Sequence, residues 1–154
     1  WSQFLSKLRL ALSTERGGET GAGSATLLSD FDARGLDVFR TNLQLMRECC
    51  RLIGAALFVL RQPTLVHAGM DEDERALCRF DFHGFDEAAH LRAYEGIYRV
   101  IDEEVEAARV IDATGMSRAP GLFADHVHPS PGGATVLAGI VADALERWLL
   151  ERDG

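Results

Sequence analysis

Apolar residues at positions 1, 4, 5, 8 and 12 (Trp1, Phe4, Leu5, Leu8, Leu12) recur at helical spacing, which predicts an amphipathic helix over 1–13. The Gly-rich polar stretch after it predicts a flexible loop over 14–35. From 36 to 54 the periodicity returns, with Val38, Leu43, Met46, Cys50 and Ile53 as the apolar stripe and Gly54 placed as a C-terminal cap. Residues 55–63, "AALFVLRQP", are apolar nearly throughout and close on Pro63, as a buried parallel strand does. A long charged loop follows over 64–85, with room for a short helix whose first turn holds Asp71 to Asp73. A long helix is expected over 86–108, its stripe being Leu91, Tyr94, Ile97, Tyr98, Ile101 and Val105. "RVIDAT" (109–114) reads as a second buried strand, 115–132 as a loop, and 133–152 as a final helix packing through Leu137, Ile140, Val141, Leu145 and Trp148.

Strands alternating with helices argue for an α/β fold with a parallel sheet. Two strands are few for a doubly wound domain. The expectation is a single domain or domain fragment over 1–154, holding only the C-terminal half of such a fold. Half a parallel sheet leaves an edge strand and an apolar face open. The chain is therefore expected to pair with a second chain or fragment, or with itself.

Composition narrows the function classes. The net charge of −8 argues against a nucleic-acid partner, which requires a basic face. No apolar run approaches the roughly 20 residues of a membrane span. Three cysteines, Cys49, Cys50 and Cys78, two of them adjacent, do not make a disulfide framework; buried thiols weakly favour a reducing compartment and leave the localisation open. The first residue is Trp1, as in a processed or truncated piece.

The chemistry concentrates in "FADHVHPSPGG" (123–133). In open α/β sheets ligands sit at the C-terminal ends of the strands, and this loop leaves from one. Asp125 and His128 are three residues apart, close enough for the carboxylate to meet Nδ1–H of the imidazole. The carboxylate would fix the tautomer and leave Nε2 as general base, and an imidazole suits that task near neutral pH. Pro129 and Pro131 stiffen the exit, and Gly132 and Gly133 let the backbone turn into the last helix. The bland alternative is a turn carboxylate beside a surface histidine. His67 and His126 are candidates for lining a substrate cleft, the alternative for His126 being a neighbour without a chemical role; His83 and His90 are weaker candidates of the same kind. His126-Val127-His128 also spells a His-x-His pair, but two prolines keep it from being the strand such a metal site would use, and no metal or other cofactor is expected. Asp112 is expected to orient its own loop. Ser24 is loop filler, since no strand precedes it to build a nucleophile elbow.

The block "LFADHVHPSPGGATVLAGIVADAL" (122–145) resembles the closing block of the SGNH (GDSL-type) esterase and lipase family: Asp, two residues, His, a turn, and an Ala-rich terminal helix. "FRTNLQLMRECCRLIGAALFVLRQPTL" and "LRAYEGIYRVIDEEVEAARVIDAT" look like the helix–strand units that precede it there, so the resemblance covers roughly 36–150. It implies a three-layer α/β/α flavodoxin-like fold and ester hydrolysis by a Ser–His–Asp mechanism, with Asp125 orienting, His128 as base, and small-molecule, lipid or sugar esters as substrates. The Gly-Asp-Ser block that carries the family's nucleophile is not in this chain, nor is a convincing Gly-x-Asn-Asp. The chain thus holds the Asp–His half only. A degenerate, non-catalytic binding module is the rival reading.

Overall fold

The computed structural model describes residues 27–80 and 84–153. The expected helix over 1–13, the loop over 14–26 and His83 lie outside them. The described chain is mostly helical with a small parallel sheet of two strands.

Helix α1 spans Arg34–Leu52. Its end is built as the sequence predicts. Gly54 takes φ +69°, which a residue without Cβ adopts freely. Its N–H donates to Arg51 O at 3.3 Å, and Ala55 N–H donates to Cys50 O at 2.9 Å, the paired bonds of a Schellman cap. Strand β1 follows at Val59–Arg61 and is shorter than the apolar run that predicts it. Helix α2, Glu72–Ala76, starts at an Asp71–Glu74 capping box. Helix α3, Glu87–Glu104, is capped by Asp86, whose carboxylate accepts from Ala89 N–H at 2.8 Å. It ends four residues earlier than expected, and a single 3₁₀ turn (Ala107–Arg109) leads into strand β2, Val110–Asp112.

Helix α4 runs Pro131–Asp153 and begins two residues before the predicted start. Ser130 caps it: Oγ accepts from Gly133 N–H at 3.1 Å. Pro131 then occupies the first helical position, where its missing N–H costs nothing. Gly132 and Gly133 are not turning residues, since neither has a positive φ. Gly133 is small for another reason. A Cβ there would collide with the Leu122 carbonyl oxygen, so the helix start and the site loop touch backbone to backbone.

The strands pair in parallel, Val59 with Val110, Leu60 with Ile111 and Arg61 with Asp112. Successive residues of β1 face opposite ways. Val59, with Leu57 just before the strand, joins the core that Phe39 and Leu43 of α1 form with Val100, Ile101 and Val105. Phe58 faces the other side and meets Trp148 of α4 edge-on at 5.2 Å. Each fully buried side chain of this core contributes about 1.5–3 kcal/mol. The buried faces of the helices match the predicted apolar stripes only in part. On α1, Leu43 is buried, but Val38 and Met46 of the predicted stripe are exposed, as is Ile53 just past the helix end. On α3, Val100 and Ile101 are buried, and Gly96 lies close to Leu36 across the helix pair, a contact that periodicity does not mark.

Candidate active site

Both strands end on the same edge, and the two loops that leave there are bonded to each other. Leu65 N–H donates to His126 O at 2.9 Å, and Thr64 Oγ1 donates to the same oxygen at 3.0 Å. Gln62 Nε2 donates to Val127 O at 3.1 Å. Ser117 Oγ accepts from Thr64 N–H at 3.3 Å. The Gln-Pro-Thr turn after β1 therefore holds the backbone of the 126–127 segment from beneath. Tyr98 of α3 donates its hydroxyl to Gln62 O and fixes the turn in its place. Desolvation pushes the Tyr94 hydroxyl up to about 12 and the Tyr98 hydroxyl higher still, so both are O–H donors at neutral pH.

The loop itself is a closed ring. Ala124 N–H donates to His128 O and Ser130 N–H donates to Leu122 O, both at 2.8 Å. These two bonds flank an antiparallel bridge between Phe123 and Pro129. Proline fits there because the bridged pair itself exchanges no hydrogen bond.

Inside the ring, Asp125 uses each oxygen separately. Oδ1 accepts from Val127 N–H and His128 N–H, both at 2.8 Å. Oδ2 stands 2.7 Å from His128 Nδ1. Partial burial raises the carboxyl's pKa, but the Val127 N–H, the His128 ring, the His128 N–H and the His128 charge together prevail, and the group falls to about 2 from an ordinary 3.8. Asp125 is thus ionised at neutral pH and holds the imidazole by the nitrogen it faces. The His128 side chain is 57% exposed, and its Nε2 has no partner among the described residues. A carboxylate-held imidazole with its far nitrogen open can take a proton from a hydroxyl placed beside it.

The other sequence candidates are distributed differently. His126 is 2% exposed, with its ring 5.5 Å from that of His90 and its Nδ1 accepting from Arg79 N–H at 3.3 Å. It enters the interior while His128 points out, so the His-x-His pair does not converge. His90 is 2% exposed and stacks on Tyr94 at 5.7 Å. His67 has Nε2 3.4 Å from Glu74 Oε1, a contact within the 64–85 loop. Asp112 orients its own loop as expected: Oδ1 accepts from Thr114 N–H at 2.9 Å and from Thr114 Oγ1 at 2.6 Å, while Oδ2 pairs with Arg61 at 3.2 Å. Among the described residues, no group of three His, Cys, Asp or Glu is arranged to hold a metal ion.

Gln62 and Thr64 were missed as site residues, because their partners lie more than 60 positions away and leave no local signal. The capping role of Ser130 was also missed, although Ser-Pro before a helical run is a start signature. None of the three described serines is hydrogen-bonded to the His128 ring: Ser130 caps α4 and donates to Gly121 O, Ser117 accepts from Thr64, and no contact joins Ser29 to His128. Among the described residues no helix is long and apolar enough to cross a membrane. Compared with family models, with curated proteins and with solved structures, the chain matches none of them.

Proposed function

We propose that this chain supplies the Asp–His half of an SGNH-type serine esterase, on one half of a three-layer α/β/α flavodoxin-like fold. The observation that carries the reading is the 2.7 Å contact between Asp125 Oδ2 and His128 Nδ1, at the C-terminal edge of a parallel sheet. Helices on both sides of β1 support the layered arrangement. In the proposed reaction His128 Nε2 takes the proton of a serine hydroxyl as it attacks an ester carbonyl. His128 then returns that proton to the leaving alcohol, and the acyl-serine is hydrolysed by water activated at the same nitrogen. Asp125 stays ionised and stabilises the imidazolium.

A second reading is favoured by one observation: no serine among the described residues is hydrogen-bonded to the His128 ring. On it, the chain is a degenerate module that binds an ester or sugar ligand without turning it over. A fluorophosphonate probe followed by intact mass separates the two. An adduct on a serine of this chain or of a co-purifying chain, lost in His128→Ala, supports the esterase. No adduct on either leaves His128 with nothing to activate and favours the binder.

A further inference from the structure

The two peptide units that lead into His128 are each held at both poles. In the unit joining Val127 to His128, the carbonyl accepts from Gln62 Nε2 at 3.1 Å and the N–H donates to Asp125 Oδ1 at 2.8 Å. In the unit before it, the His126 carbonyl accepts from Thr64 Oγ1 and Leu65 N–H, and the Val127 N–H donates to the same Oδ1 at 2.8 Å. A peptide unit is planar, so fixing both poles fixes its tilt. A donor on the carbonyl also polarises the unit and strengthens the bond that its N–H makes.

We propose that Gln62 is a positioning residue for the Asp125–His128 pair, acting through the Val127–His128 peptide. The inference rests on that pair being the acid–base half of the proposed reaction. Thr64 and Leu65 act one peptide earlier, whereas Gln62 grips the unit whose N–H belongs to His128 itself. Its amide nitrogen pulls on one end of that unit while Asp125 holds the other, so the histidine backbone cannot rotate without breaking a bond to one of them. The same carboxylate holds the ring at 2.7 Å, and a turn of the peptide would carry Nδ1 away from Oδ2. Gln62 is itself built to stay in place. It follows β1 directly, and Pro63 after it limits its backbone to the extended region. Pro63 is fully buried, and the Tyr98 hydroxyl donates to the Gln62 carbonyl.

The test reads the ring and not only turnover. In the full chain the neutral His128 ring should give a pyrrole-type ¹⁵N signal at Nδ1 and a pyridine-type signal at Nε2. Gln62→Leu removes the donor at nearly unchanged size. It should mix the two ring signals and move the Val127 and His128 amide protons upfield, with the helical circular dichroism kept. Gln62→Glu, equal in size but without the N–H donors when ionised, should do the same, and so keeps the test open if the Leu variant folds poorly. Tyr98→Phe should give a smaller change in the same direction. Where the wild type forms a fluorophosphonate adduct, both Gln62 variants should form it about tenfold more slowly, as a misplaced base does. Wild-type ring and amide signals in the two Gln62 variants would overturn the proposal and leave Gln62 a packing residue. A wild type that forms no adduct sinks the esterase reading instead, and the ring signals alone then decide the positioning.

Discussion

Asp125 and His128 are joined twice within four residues: Oδ2 meets the ring at Nδ1, and Oδ1 meets the backbone N–H of the same histidine. One carboxylate thus sets both where the imidazole sits and which nitrogen it turns outward.

Replacing Asp125 separates these two duties. Asp125→Ala strips acceptors from two backbone N–H groups and should cost about 1 kcal/mol, read as a lower urea midpoint. Asp125→Asn keeps an oxygen for the turn and should recover most of that loss. It should still change the His128 tautomer, seen in the ¹⁵N shifts of the ring. An Asn variant with wild-type ring shifts would mean that the turn alone orients the imidazole.

The same carboxylate predicts an acid response. Its pKa is lower in the folded chain than its ordinary 3.8, so folding favours the ionised form. The stability it contributes is present above about pH 4 and is lost as the pH falls toward 2. Asp112 is also lowered, burial opposing and the Thr114 contacts and Arg61 prevailing, and adds in the same direction. Urea midpoints between pH 5 and 2.5 should fall more steeply for the wild type than for Asp125→Asn. Parallel curves would show that Asp125 gains nothing from its partners.

Two adjacent glycines should respond oppositely. Gly133→Ala forces its new Cβ into the Leu122 carbonyl, and that carbonyl also accepts Ser130 N–H to close the ring. It should cost about 2–3 kcal/mol and displace His128, with both effects visible by melting and by NMR. At Gly132 the nearest neighbour of a Cβ is Ser130 Oγ at 3.8 Å, an ordinary contact. Gly132→Ala should therefore be neutral or stabilise by up to about 1 kcal/mol, since alanine favours helix. A tolerated Gly133→Ala would refute the close approach of helix and loop.

The Gln-Pro-Thr turn should act as a support for the site. Thr64→Val removes the hydroxyl that donates to the buried His126 carbonyl and should cost about 1 kcal/mol. Amide exchange should rise at Val127 and His128 and stay unchanged in the α1–α3 core. Uniform loosening of the core instead would assign Thr64 a general packing role.

Much of this was legible along the chain because it is local. The Gly54 cap, the Asp-rich start of α2, the Asp86 start of α3 and the Asp125–His128 spacing each depend on residues within six positions. The strands were read too long, since apolar character marks burial and not ladder hydrogen bonds: of the predicted strand over 55–63 only Val59–Arg61 pairs. The α1 stripe was half misread for a related reason. Periodicity finds an apolar face but not what covers it, and α1 has two.

The sequence by itself determined the order of helices and strands, their caps, and the pairing of one carboxylate with one imidazole, because backbone geometry and side-chain reach act over a few residues. Only the tertiary structure decided that His126 turns inward while His128 stays open. It alone decided that Gly133 is small for a carbonyl of the site loop, and that Gln62 and Thr64 carry that loop. Those are contacts between distant segments, and packing in three dimensions creates them.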